Sequence, residues 1–293
     1  MPQVLHQLCA IIVAFNPSRE RLISLALKLK DSNSDVVIID NSPEQDDSLK
    51  SDDFSYIWMH GNKGIAEAQN VGIEYCLSKG YEYIIFFDQD SVIETGFIDK
   101  LLTPMIANSF EICAPVFFDE KKGFEYAITH INKNGTREKL FSEGQTQPFT
   151  TSVAISSGTL VNAKVFNLVG LMDSGLFIDY VDTEWCLRCY ANNIMVNIIP
   201  DARMKHSIGD NSFHLFGFCV PVHSPTRRYY RVRNSFHLFR YQHVPKLLAM
   251  REIVFSFIHS GLLIATQKQK KNYIKSFIAA VRDGVLNVKG EKK

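Results

Sequence analysis

Asp88 and Asp90 stand one residue apart at the end of the apolar run Tyr83-Ile84-Ile85-Phe86-Phe87. Two carboxylates this close repel unless a cation or a proton sits between them. Hard divalent ions such as Mg²⁺ or Mn²⁺ prefer carboxylate oxygen and keep positions open for phosphate oxygens. The chemistry suggested is a metal–diphosphate site. The run is too short to span a membrane and too continuous for a half-exposed strand. It reads as a buried parallel strand that delivers its charges at its carboxyl end, the edge where open α/β sheets bind ligands. From these residues alone, a solvated turn after a core strand is the other reading.

Four further candidate groups fall on the same edge or approach it. Asp40 ends a second apolar run, where a carboxylate either accepts the imide N–H of a uracil or thymine ring or caps a turn. Asn62 and Gly64 precede a helical pattern over 65–78 whose N-terminus favours an anion. Asp182 lies between Asp179 and Glu184 at the start of another helical stretch. Acids there complement the helix dipole, and one positioned carboxylate also takes the proton from an acceptor hydroxyl during displacement at a sugar carbon. His206, after an extended segment, either completes a metal shell or is a polar surface residue.

Positioning these groups requires alternating strands and helices. Strand patterns at 8–15, 36–40, 56–60 and 83–88 interleave with helical patterns at 18–30, 65–78 and 97–107, and a further strand follows at 112–117. That alternation predicts an α/β fold with a Rossmann-like, mainly parallel sheet flanked by helices. Residues 121–151 read as a hairpin excursion around Asn134-Gly135, and 157–161 return to the core. Residues 185–192 read as helical and 194–199 as extended, and the chain is helical after Pro225. The expected division is a catalytic domain over 1–220 and a basic helical extension over 221–293.

The 293 residues are 46% hydrophobic and 22% charged, ordinary for a soluble globular chain. Their net charge of +1 hides an asymmetry: residues 227–293 carry +12 and the rest −11. A basic, aromatic-rich tail suits anionic lipid or nucleic acid, or is a solvated helix face. The six cysteines form no disulfide framework, and Cys186 and Cys189 make a single C-x-x-C that reads as core or surface thiols. Residues 1–15 resemble a first strand rather than a signal, so the expected location is cytoplasmic. The apolar segment 253–265 falls short of the roughly 20 residues of a spanning helix and suits lying on a membrane.

Taken in order, the motifs resemble those of inverting family 2 glycosyltransferases of the GT-A fold. They are Ile12-Val13-Ala14-Phe15-Asn16, Ile39-Asp40-Asn41-Ser42, the Asn62-x-Gly64-x-Ala66-x-Ala68-x-Asn70-x-Gly72 run, Asp88-Gln89-Asp90, Ser157-Gly158, Val181-Asp182-x-Glu184 and His206. Within the family, Ala68-Gln69-Asn70, the 182–188 block and Arg228-Tyr229-Tyr230-Arg231-Val232-Arg233-Asn234 are most similar to bacterial rhamnosyltransferases that use dTDP-L-rhamnose.

The resemblance implies roles. Ala14, Asn16, Asp40, Asn62, Gly64, Gln69, Asn70, Asp88 and Gln89 would hold the donor, with Asp40 on the base. Asp90 and His206, with Asp88 near, would bind Mg²⁺ or Mn²⁺. Ser157, Gly158, Glu184 and Trp185 would line the acceptor site, and Asp182 would be the base of a single in-line displacement with inversion. Arg228, Arg231 and Arg233 would contact diphosphate, unless they are a solvated helix face. The implied acceptor is a glycan, lipid-linked, for cell-surface polysaccharide or O-antigen synthesis. The enzyme would sit peripherally on the inner face of an anionic membrane and bind no nucleic acid. Many members carry Arg at the position of Gln69 and Glu at that of Val181. Competing readings are a UDP-hexose or UDP-galactofuranose donor, and a haloacid-dehalogenase-like phosphatase with Asp88 as nucleophile. A non-enzymatic anion- or nucleic-acid-binding module would leave Asp88, Asp90 and Asp182 unused.

Overall fold

Strands β1 (Leu8–Ala14), β2 (Asp35–Asp40), β3 (Ser55–Trp58) and β4 (Tyr83–Asp88) lie side by side in the order β3-β2-β1-β4, all parallel. This computed structural model describes residues 7–119, 123–205, 212–215 and 218–292. Both faces of the central strands are covered, which is why they are apolar without alternation. Ala10 and Ile12 of β1 face α1 (Arg19–Asp31) and α3 (Phe97–Ala107), whereas Cys9 and Ile11 face α2 (Ile65–Ser78) and the later helices α4 (Lys164–Val169) and α5 (Val181–Ala191). The result is a three-layer α/β sandwich, as the alternating pattern predicts.

The second half of the sheet continues β4-β10-β5-β11-β9. β5 (Ile112–Asp119) and β11 (Val196–Lys205) are parallel, while β10 (Leu160–Asn162) runs antiparallel between β4 and β5 and β9 (Phe149–Thr151) antiparallel on β11. The reversal of β10 has a local cause. The chain arrives at the carboxyl edge of β4, where the Gly158 N–H donates to the Phe86 carbonyl, and can only run back down the sheet. Between β5 and β9 the chain forms β6 (Phe124–Glu125) and the predicted hairpin, β7 (Ile128–Ile131) with β8 (Arg137–Leu140). A further hairpin joins β12 (Ser212–Leu215) and β13 (Phe218–Pro221).

Three helices end the chain: α6 (Pro225–Arg240), α7 (Lys246–Thr266) and α8 (Lys270–Val285). α6 opens on Ser224, whose hydroxyl accepts the Arg227 N–H, with Pro225 at its first position, both favourable starts. Asn234 of α6 donates to the carbonyls of Leu176, Ile178 and Asp179, so the terminal helices hold the segment that leads into α5. Cys186 and Cys189 are buried thiols, both pushed up by burial, as the lone C-x-x-C suggests. The apolar segment 253–265 belongs to a helix of 21 residues, longer than its apolar run implied. α7 is the one helix among the described residues long and apolar enough to cross a membrane.

Candidate active site

The ends of β1, β2 and β4 are in register, Ala14 beside Asp40 and Val13 beside Asp88, so the three motif carboxyl ends share one edge. Side chains lace that edge together. Gln89 Oε1 accepts the Phe15 N–H at 2.6 Å, tying the Asp88–Asp90 turn to β1, and Ser42 Oγ accepts the Asn16 N–H at 2.8 Å. Asn41 donates to Asn62 Oδ1 at 3.1 Å and accepts the Lys63 N–H at 2.7 Å, so the end of β2 fixes the approach to α2. Gly64 is required there. Its φ is +86°, and a Cβ would lie 2.6 Å from the Phe177 carbonyl that receives the Ile65 N–H. Asn16 and Asp90 are exposed, and Asn62, Asp88 and Gln89 are half-buried.

Asp182 approaches from the other side. Phe177, Asp179 and Tyr180 adopt φ of 66°, 64° and 65°, a left-handed conformation costly for non-glycine residues, and Tyr180 then caps α5. Strain of this kind persists only when neighbours hold it, and the three carbonyl contacts of Asn234 do so. Because α5 starts at Val181, four residues earlier than its sequence pattern suggests, Asp182 lies in the first helical turn. It forms part of the wall of a mostly apolar cleft of about 360 Å³, with Pro115, Phe117, Tyr126, Ile155 and Arg137. Burial, then the charge of Asp88, push the Asp182 carboxyl up to about 6, with Asp179 adding to the rise. The N–H and hydroxyl of Ser156 oppose the shift by hydrogen-bonding the carboxylate. Gln69 Nε2 donates to Ser156 Oγ at 2.8 Å, orienting that hydroxyl toward Asp182. The neighbouring Ser157 Oγ accepts the Asp88 N–H at 3.2 Å and lies 3.0 Å from Ser91 Oγ. Residues 156–158 therefore connect Asp182 to the Asp88–Asp90 turn. The sequence reading missed Ser156, since its only signal was adjacency to Ser157-Gly158.

Several expected site residues have other work. Asp40 is 0% exposed, and its oxygens accept the Ser42 N–H at 3.0 Å and the Tyr56 hydroxyl at 2.6 Å, so it pins the strand end rather than facing a base. Ala14 is buried in β1, its carbonyl taken by the Asn41 N–H. Asn70 exchanges two hydrogen bonds with the Met172 backbone and clamps α2 to that loop. Glu184 accepts from Nε and Nη2, one edge of the Arg188 guanidinium, at 3.0 and 2.7 Å, and lies 2.8 Å from His243 Nε2. Two positions along a helix is a turn of about 200°, which carries Glu184 away from the cleft. Trp185 donates to the Gly170 carbonyl and stacks on Phe166 in the core. Arg228 and Arg233 are buried: Arg228 donates to Ser256 and Ser260, and Arg233 to the carbonyls of Gly175, Leu176 and Gly290. Desolvation lowers the Arg228 guanidinium to about 10. Arg228 Nε and Nη1 are buried without a partner, and burial at 3% and 0% exposure keeps both guanidiniums from reaching a diphosphate. Arg231 lies over the Tyr180 ring and faces Asp179 at 3.6 Å and Glu252 at 3.7 Å.

His206 lies outside the described residues. Lys205, just before it, pairs with Val92, so β11 runs up beside the Asp88–Asp90 turn. Among the described residues no three His, Cys, Asp or Glu side chains gather as a metal shell. The acids available at the edge are Asp88 and Asp90, with Asp182 close enough for Asp88 to raise its proton affinity.

A carboxyl-edge acid pair, a half-buried carboxylate across the cleft and this sheet order define a nucleotide-sugar transferase of the GT-A architecture. The chain belongs to glycosyl transferase family 2, whose sequence pattern matches residues 9–169, and it is a glycosyltransferase. It is 52% identical over 285 residues, 96% of either chain, to the dTDP-rhamnosyl transferase RfbF of Shigella flexneri. It is 23% identical over 98% of its length to the low-salt glycan biosynthesis hexosyltransferase Agl10 of Haloferax volcanii, covering 94% of that protein. Among solved structures, 96% of the chain superposes on S. aureus TarS 1–349 in complex with UDP-GlcNAc, at TM-score 0.57 and 12% identity, covering 81% of that chain. GalNAc-T7 with UDP, GalNAc and Mn²⁺ gives TM-score 0.58 at 13% identity, over 91% of this chain and 59% of that one. Family membership sets aside the phosphatase and non-enzymatic readings.

Proposed function

We propose that the chain transfers L-rhamnose from dTDP-L-rhamnose to a hydroxyl of a lipid-linked glycan, with inversion, during cell-surface polysaccharide synthesis of the O-antigen kind. The observation that carries the donor is the 52% identity, end to end, with a dTDP-rhamnosyl transferase. Asp182 takes the proton of the acceptor hydroxyl as the new oxygen–carbon bond forms at the anomeric carbon and the bond to the diphosphate breaks on the opposite face. Its carboxyl, at about 6, is ionised at neutral pH yet basic enough to hold the proton. Asn16, Asn62, Gly64 and Gln89 line the donor side, Gln69 orients the hydroxyl of Ser156, and Ser157 and Gly158 close the acceptor side.

Asp88 and Asp90 would hold Mg²⁺ or Mn²⁺. The fit rests on their oxygen donors and on the mutual repulsion felt by Asp88 and Asp182, which a cation relieves. When bound, the metal offsets charge on the departing diphosphate. We take 1–220 as the transferase domain, with His206 as a further ligand, and 221–293 as an extension that braces the base and meets the inner face of the membrane.

The test is thermal stability of the purified chain with dTDP-L-rhamnose, UDP-GlcNAc, UDP-galactofuranose and GDP-mannose, each with Mg²⁺, Mn²⁺ or EDTA. Ligand at 100 times its Kd adds about 2.7 kcal/mol, a shift of several degrees. The expected result is a metal-dependent shift for dTDP-L-rhamnose, reduced in Asp90→Ala. A larger shift with a UDP-sugar overturns the donor assignment.

A further inference from the structure

The side that helix α7 buries carries Glu252, Ser256 and Ser260 among Leu248, Ala249 and Leu263; Glu252 holds Arg137 at 2.6 Å and the Tyr180 hydroxyl at 2.7 Å, and the Ser256 carbonyl and Ser260 hydroxyl accept from Arg228. The side it exposes carries Leu247, Met250, Val254 and Ile258, each 54–56% exposed, at the i, i+3, i+7, i+11 spacing of one helical face. α8 likewise buries Ser276 and Asp283 beside Tyr273 and Ala280 while exposing Ile274, Ile278 and Val285. Large apolar side chains exposed in a row along a helix mark a surface that is covered in use.

Charge identifies the cover. Lys246, Lys268, Lys270, Lys271 and Lys275 are exposed around these faces. From residue 227 onward the only acids are Glu252, Asp283 and Glu291, and the first two are buried. Two copies meeting through such a basic surface would repel, whereas an anionic lipid surface attracts the lysines and accepts the apolar side chains between them. Crossing the bilayer is excluded by the same buried side, because a spanning α7 would have to strip Glu252, Ser256 and Ser260 from Arg137 and Arg228.

We infer that the outward face of α7 beds in the interfacial layer of an anionic membrane, with the helix axis in the membrane plane. This seating puts the acceptor cleft beside the lipid. Arg137 lines that cleft and is gripped by Glu252 on the inward side of α7, and the Gly135 turn of the β7–β8 hairpin rests on α7, where a Cβ would lie 2.8 Å from the Leu248 nitrogen. One helix diameter, about 10 Å, then separates lipid from cleft. The inference deepens the proposed use of a lipid-linked acceptor and rests on that reading for its purpose.

The experiment is flotation of the full chain with vesicles of phosphatidylcholine alone and of phosphatidylcholine with one quarter phosphatidylglycerol. Val254→Ser/Ile258→Ser is compared with wild type, beside Lys270→Gln/Lys271→Gln/Lys275→Gln. The expected result is binding to the anionic vesicles, weakened at least about tenfold in either variant, with the circular dichroism of both variants unchanged. The assay contains no donor, so it stands apart from the stability shift with dTDP-L-rhamnose, which both variants retain. No binding by wild type, or equal binding by wild type and the serine variant, overturns the inference. So does light scattering that shows a wild-type dimer broken by the serine pair, which would assign the face to a second copy.

Discussion

Replacing Asp182 by Asn is expected to stabilise the protein while disabling it. The carboxyl binds its proton at about 6 in the folded chain because it is buried and faces Asp88, against an ordinary value of 3.8. An acid that holds its proton more tightly when folded costs stability wherever it must ionise. That cost is absent below pH 3.8, grows as pH rises from 3.8 to 6, and is complete above 6. At about 1.36 kcal/mol per pH unit the interval is worth about 3 kcal/mol. Asn keeps the shape and an oxygen for the Ser156 N–H, and the Ser156 hydroxyl can rotate to accept from the new amide. In a chain of this size such a gain raises Tm by about 5–10 °C. The measurement is Tm of both proteins at pH 8 and pH 4 in EDTA, so that no cation screens Asp88, together with transfer rate at pH 8. Stability should rise at pH 8 and converge at pH 4, and the rate should fall by about 10²–10⁴. An equal gain at both pH values, or a loss at pH 8, would refute the electrostatic account of the base.

Other consequences can be checked separately. If Asp182 is the base as proposed, wild-type kcat/KM should fall as pH drops through about 6, where its carboxyl becomes protonated. Ser156→Ala removes a donor that favours the carboxylate, so its acid limb should move to higher pH, leaving more activity lost at pH 6 than at pH 8. Gly64→Ala places a methyl 2.6 Å from a backbone oxygen at φ +86°, and urea unfolding should report a loss of about 1–3 kcal/mol. Arg233→Met leaves the Gly290 carbonyl without its donor, while the Gly175 and Leu176 carbonyls keep the Gly290 N–H and Asn234, and should cost about 1–3 kcal/mol for that one unsatisfied group. In the fraction that folds, affinity for dTDP-L-rhamnose should match wild type, since Arg233 is structural. A donor affinity that falls with stability preserved would restore Arg233 to the diphosphate.

The first half of the fold was legible because its signals are local. An apolar run ending in acids reports burial on both faces and an exposed end, and Asp88, Asp90 and Asp40 do share the sheet edge so implied. The hairpin around Asn134-Gly135 is legible for the same reason. The antiparallel β10 was not, because three residues carry no direction. Its course depends on the chain having crossed to the carboxyl edge before Ser157, a tertiary event. The start of α5 was hidden because Asp179 and Tyr180 take a left-handed backbone that their residue types disfavour, imposed by Asn234 more than fifty residues on.

The charged residues of the site show where a sequence argument stops. Asp182 and Glu184 are indistinguishable by type and spacing, and the helix rotation between them assigns one to the cleft and the other to Arg188 and His243. Arg228 and Arg233 read as cations awaiting phosphate, yet both are buried in the fold, Arg233 on backbone carbonyls and Arg228 on Ser256 and Ser260, and only the folded chain says which groups are near. The same reasoning explains why the tail looked like a solvated basic face. Its few acids are not scattered over the surface. Glu252 and Asp283 are turned inward to hold Arg137, Tyr180 and Tyr229, so the charge left outside is more uniformly positive than the sequence total suggests. Burying the acids to brace the cleft and the approach to Asp182 is thus the same act that leaves the outer surface basic and apolar.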